Sequence, residues 1–166
     1  MQTNKLFIFI LSLSLAQNLT YLNGHATTPP NPVGEITAED KLHTALTSST
    51  PTIVMGYMSN CPHCNTLKPT YEKLALQHRS IDFVKVNGPQ HKMHTHVAQL
   101  TNGDKRIPGY PSIAFVNNGV ITDVLIGGNK EKLEAMIVDF EKNLTSGVKR
   151  IEKDLKSDWK KVKSYL

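Results

Sequence analysis

The chain has 166 residues, 39% of them hydrophobic and 20% charged, with a formal net charge of +5 and a pI near 9.2. That is enough for one core of ordinary domain size with some chain to spare. The charge is not spread evenly: residues 146–166 hold seven cationic residues (Lys149, Arg150, Lys153, Lys156, Lys160, Lys161, Lys163) against three acidic ones (Glu152, Asp154, Asp158), a net +4. The remainder is close to neutral, which excludes a basic nucleic-acid-binding face on the main domain.

Lys5, the apolar run Leu6 to Leu15 broken only by Ser12 and Ser14, and Ala16 together fit a secretory signal peptide over residues 1–16. The run is short for a permanent membrane anchor, which is the alternative reading. Ser14-Leu15-Ala16 satisfies the small-x-small cleavage pattern and Gly24-His25-Ala26 satisfies it again, so cleavage as late as residue 26 stays open. Export would place the chain in an oxidising compartment. The C-terminal Lys163-Ser164-Tyr165-Leu166 is not an endoplasmic-reticulum retention signal, so the expected location is a bacterial periplasm.

Residues 17–34, with Pro29, Pro30 and Pro32, read as a linker. Glu35-Ile36 is expected to form a short strand. Thr37-Ala38-Glu39-Asp40 reads as a capped helix start that carries Leu42, Ala45 and Leu46 inward. Thr52 to Met58 is apolar almost without a break, as a strand buried on both faces requires.

That strand runs into Ser59-Asn60-Cys61-Pro62-His63-Cys64, which holds both cysteines of the chain. Two thiols separated by two residues can close a small, labile disulfide ring. Pro62 suits the first turn of a helix, and Leu67, Tyr71, Leu74 and Ala75 continue at helical spacing, with Pro69 expected to kink the helix. Ile81 to Val86 is the next strand, ended by Asn87-Gly88-Pro89.

Residues 90–100 are predicted to form a short helix with Val97 and Leu100 facing inward. Tyr110-Pro111 precedes a strand over Ser112–Val116, Asn117-Asn118-Gly119 is a hairpin turn, and Val120 to Ile126 returns. Gly127-Gly128-Asn129 then opens a helix with Leu133, Met136, Ile137 and Phe140 on one side. In the tail, Val148, Ile151, Leu155, Trp159, Val162 and Leu166 form an apolar stripe with lysines opposite, which fits a helix lying on its own domain, a dimer contact, or contact with an anionic membrane surface.

Taken together, Cys61-Pro62-His63-Cys64 between strand and helix, Pro69 five residues on, Tyr110-Pro111 before the last hairpin and Gly127-Gly128 after it resemble the thioredoxin superfamily over residues 35–144. The resemblance implies an α/β thioredoxin fold: a central mixed β-sheet flanked by helices, in the order β-α-β-α-β-α-β-β-α, followed by a C-terminal amphipathic helix over 145–166. It implies that Cys61 is the exposed nucleophile, Cys64 the buried resolving thiol and Pro111 a cis-proline beside the disulfide. Tyr110 and Pro111 would border the substrate groove. The redox group would be the Cys61–Cys64 pair itself, with no other cofactor and no metal.

The dipeptide Pro62-His63 resembles that of the periplasmic DsbA oxidases, although the helical insertion of that family has no room here. In members with a histidine in this dipeptide the pKa of the nucleophilic thiol can fall to about 3.5 from about 8.5, of which a helix terminus alone accounts for at most about 1.5. His63 is the expected source of the rest, and the expected role is therefore disulfide donation to cysteine-containing exported proteins, with a redox partner that reoxidises the enzyme. Thioredoxins usually carry a buried carboxylate six residues before the first cysteine; Met55 stands there. A periplasmic reductant or isomerase, and a metal-binding or chaperone module on the same fold, are the alternatives. For the metal reading, the residues are His91, His94 and His96 near Met93, or a composite zinc site of Cys61, Cys64, His91 and His96.

Overall fold

A computed structural model describes residues 32–163, apart from the side chains at 158 and 160–162. The expected signal peptide over residues 1–16 and most of the expected linker lie outside the described residues. The elements are β1 (Val33–Ile36), α1 (Glu39–Leu46), β2 (Thr52–Tyr57), α2 (Pro62–Gln77), β3 (Asp82–Asn87), α3 (Met93–Leu100), β4 (Ser112–Asn117), β5 (Val120–Ile126) and α4 (Lys130–Lys163). This is an α/β thioredoxin fold in the order expected from the sequence. Strands pair in the order β1-β3-β2-β4-β5, with β1–β3 and β2–β3 parallel and β2–β4 and β4–β5 antiparallel.

β2 is therefore central, and its unbroken apolar sequence follows from burial on both faces. Ile53 and Met55 point to one core, shared with Leu67, Tyr71 and Leu74 of α2 and Leu133, Ile137 and Phe140 of α4. Val54 points to the other, shared with Leu42 and Leu46 of α1 and Met93 and Val97 of α3. The turn Asn118-Gly119 has φ of 50° and 76°, the two left-handed residues that a two-residue hairpin loop demands.

Several boundaries differ from the sequence reading. β1 begins at Val33, inside the expected linker, because Val33 pairs with Phe83 and is buried. The first residue of α1 is Glu39 with Ala38 at the N-cap and no side-chain cap, so Thr37 lies one position too early to serve. Pro69 sits inside the continuous α2, leaving the Asn65 carbonyl without its usual helical donor. Leu100, expected inward, is exposed, and Met93 takes the buried position one turn before Val97. No break separates the last domain helix from the tail: α4 runs unbroken through 34 residues. Among the described residues no helix is long and apolar enough to cross a membrane.

Tyr71 ties the layers together. Its hydroxyl donates to the Ile53 carbonyl at 2.7 Å and lies 2.9 Å from the Val84 carbonyl, and its ring meets Phe83 edge-on at 5.2 Å. Burial pushes this phenol well above its usual value near 10. The folded state thus holds the proton more tightly than the unfolded chain. That contribution to stability is complete below about pH 10 and is lost as pH rises toward the folded value. Tyr71→Phe is expected to cost about 0.5–1.5 kcal/mol at neutral pH, since it removes a buried hydrogen bond. It should also flatten the alkaline fall in stability; urea unfolding at about pH 8 and about pH 11 measures both.

Candidate functional site: a disulfide at a helix start

The site forms where β2 ends and α2 begins. Cys61 is the N-cap of α2, with extended backbone (φ −94°, ψ 110°), and Pro62 follows at the first helical position. The helix start leaves amides without intrahelical acceptors, and the Cys64 N–H donates to Cys61 Sγ at 3.2 Å. Cys61 and Cys64 are joined in a disulfide. Cys64 is wholly buried and Cys61 is 5% exposed, so the expected exposed nucleophile shows only an edge to solvent.

Two distant segments close over this edge. The Tyr110–Pro111 peptide bond is cis, and the Tyr110 carbonyl oxygen lies 3.5 Å from Cys61 Sγ. The Gly127 amide donates to the Pro111 carbonyl at 2.8 Å, fixing the loop after β5 against the loop before β4. A Cβ on Gly128 would stand 3.5 Å from the His63 carbonyl and 3.7 Å from Pro111 Cγ, so this loop borders both halves of the site.

Tyr110, expected with Pro111 to border a substrate groove, presents its carbonyl and not its ring to the disulfide. Its ring turns inward and packs with the core that contains Met93 and Val97. A Cβ on Gly56 or on Gly88 would collide with that ring. The hydroxyl is buried without a hydrogen-bond partner of normal geometry among the described residues and faces the His94 backbone; burial raises its pKa. What Tyr110 offers the disulfide is its backbone carbonyl. Sequence reading passed over Gly56 and Gly88, although a lone glycine within a buried strand such as β2 is a known sign of close approach by another group.

His63 is exposed on the first turn of α2, and among the described residues no hydrogen bond joins its ring to Cys61. Met55 is fully buried, paired in register with Lys85 on β3 and Ile113 on β4. The Lys85 ammonium is turned to carboxylates elsewhere, 3.5 Å from Glu35 and 3.9 Å from Glu72. Glu35 also accepts from the Tyr57 hydroxyl at 2.9 Å.

The three histidines of the proposed metal cluster part company. His91 is buried before α3 starts, His94 is exposed, and His96 lies 3.3 Å from Glu39, which also holds Lys92 at 3.2 Å. The Lys92 hydrogen bond, with a lesser contribution from His96, lowers the Glu39 pKa. His91, expected inside a helix over residues 90–100, lies outside α3, which begins only at Met93. Among the described residues no three His, Cys, Asp or Glu are grouped as a metal ion would need.

Comparison with known proteins bears on the whole arrangement. Residues 33–139 match the family model described as Thioredoxin. The thioredoxin of Trypanosoma brucei brucei superposes with a TM-score of 0.58 at 16% identity, over 72% of this chain and 99% of that one. A Malassezia sympodialis thioredoxin gives 0.56 at 22% identity over 71% and 97%, and the oxidised thioredoxin of Plasmodium falciparum 0.55 at 22% over 65% and 97%. These are single-domain neighbours matched over nearly their whole length. The DsbA resemblance drawn from Pro62-His63 is thereby corrected: between β3 and β4 the chain has room for one eight-residue helix, α3, and no insertion domain.

Proposed function

Because the chain belongs to the thioredoxin family and is a thiol-disulfide oxidoreductase, we propose that it works as an oxidant, passing the Cys61–Cys64 disulfide to cysteine-containing exported proteins. A substrate thiolate attacks Cys61 Sγ; the Cys61–Cys64 bond breaks and Cys64 leaves as a thiolate that takes up a proton. A second substrate thiolate then attacks the substrate sulfur of the mixed disulfide and expels Cys61. The substrate loses two electrons as its disulfide forms, and the enzyme, now a dithiol, must be reoxidised by a partner protein.

The observation that carries this direction is the hydrogen bond from the Cys64 amide to Cys61 Sγ at a helix start. Cys64 passes through its thiolate in both directions, as the leaving group in oxidation and the resolving group in reduction, and a thiol buried in apolar surroundings resists ionisation. Met55 fills the place of the missing carboxylate with a thioether in the core around Leu67 and Tyr71, so β2 supplies no base there. Cys61, the group expelled as the substrate disulfide forms, is better served: it meets the Cys64 amide at a helix start, which favours its thiolate and with it the reduced enzyme. Export is part of the same reading, supported by the leader-like residues 1–16 and by the need for an oxidising compartment, of which the bacterial periplasm is the one proposed.

Equilibration with reduced and oxidised glutathione, read by thiol trapping and mass spectrometry, is expected to give a potential above about −200 mV. A value close to the −270 mV or so of thioredoxin itself overturns the oxidant assignment.

A further inference from the structure

We propose that the C-terminal half of α4 docks on an anionic lipid surface with its apolar stripe toward the acyl chains, holding the thioredoxin domain beside that surface. This goes beyond the direction of disulfide exchange and does not depend on it.

The stripe on α4 is one pattern repeated at eleven-residue intervals. Leu133, Leu144 and Leu155 recur at that spacing, as do Ile137, Val148 and Trp159, and Phe140 and Ile151. Eleven residues in three turns is about 3.67 per turn, close to the 3.6 of a straight α-helix, so the stripe stays on one line along the axis. The first repeat is spent on the domain: Leu133, Ile137 and Phe140 are buried, and Leu144 is packed against the same core. From there the same face continues with nothing packed on it among the described residues, and Val148, Ile151, Leu155 and Trp159 are 56–64% exposed.

A helix with an apolar stripe left open and a charged face opposite is built to lie between two media. The charge selects the occupant. From residue 146 onward the chain carries a net +4, so a second copy of the same segment would bring like charge against like. A nucleic acid would satisfy the cations and leave the stripe in water. An anionic lipid surface satisfies both, with the stems of Lys149, Lys153 and Lys156 able to lie along the apolar boundary while their ammonium groups reach the headgroups. Trp159 has the side chain favoured at a membrane interface, and the Lys163 ammonium lies 5.7 Å from its ring centre.

Trp159 is the single tryptophan of the chain and therefore reports on the proposed contact directly. The disulfide-bonded protein is titrated with vesicles of phosphatidylcholine alone and of phosphatidylcholine with about 30% phosphatidylglycerol, following tryptophan emission and co-sedimentation. The expected result is a blue shift and sedimentation with the anionic vesicles only, weakened when salt is raised from about 0.05 to about 0.5 M. Ile151→Ser/Leu155→Ser changes exposed residues far from the disulfide; it should keep the exchange activity and lower vesicle partitioning by at least about ten-fold. No shift with anionic vesicles, or full partitioning by the double variant, overturns the proposal. An equal shift on heparin, which has no acyl phase, overturns it in favour of a polyanion partner. A shift without vesicles that grows with protein concentration, together with a doubled mass by light scattering, overturns it in favour of a second copy.

Discussion

Cys61→Ser is expected to abolish disulfide exchange, lowering turnover by at least about a thousand-fold, because the remaining thiol, Cys64, is buried and out of reach of a substrate disulfide. Cys64→Ser should fail differently. Its Cys61 thiol still sits at the helix start, so it attacks disulfides, but nothing then releases the product, and mixed disulfides should accumulate on non-reducing gels. The contrast rests on access: Cys61 presents an edge beside the Tyr110 carbonyl, while Cys64 is closed off beneath it. Full turnover by either variant, or trapping by Cys61→Ser in place of Cys64→Ser, would reverse the roles given to the two sulfurs.

Gly88→Ala should rank next in effect, although Gly88 touches neither sulfur. Its Cβ would fall on the Tyr110 ring, which cannot back away because Gly56 on β2 and Met93 on α3 line the same space. Overpacking of this kind costs about 1–3 kcal/mol, and more where backbone must move. Here the backbone that would move is the Tyr110–Pro111 segment, whose carbonyl faces Cys61 at 3.5 Å. Loss of stability and slower exchange should therefore appear together. In a double-mutant cycle, Tyr110→Ala should remove much of the added cost of Gly88→Ala, since the two changes share one contact. Additive effects in urea unfolding would show that the clash is not the cause.

How much of this was legible in the sequence depends on whether a feature is local. The central strand could be read because burial on both faces leaves Thr52–Met58 apolar without alternation. Likewise Asn118-Gly119 could be read because two left-handed residues in a row demand such side chains. Pro62 and the cysteines announced a helix start by residue type alone. What could not be read was direction in space. Tyr110 was placed next to the disulfide correctly, but the choice between ring and carbonyl depends on two glycines at positions 56 and 88, which are brought together by the pairing of Tyr57 and Asn87 on neighbouring strands. The chain from 145 on looked like a separate helix because its charge changes there. Helix geometry ignores such a change while the eleven-residue pattern continues. The DsbA likeness drawn from Pro62-His63 failed because two residues between cysteines do not fix the rest of the chain, whose short span between β3 and β4 had already left no room for that family's insertion.

The antiparallel register of β2 and β4 pairs Gly56 with Ser112. Cys61 lies five residues beyond the first of these and Pro111 one residue before the second, so both arrive at the same end of the sheet. A slip of one residue along the ladder moves a strand by about 3.4 Å and turns each of its side chains to the other face. That step is as long as the 3.5 Å between the Tyr110 carbonyl and Cys61 Sγ. The ladder therefore acts as a gauge set to one notch: alternation of the two cores along β2 and β4 rejects the neighbouring notches, and the spacing across the disulfide is inherited from side chains that never approach it.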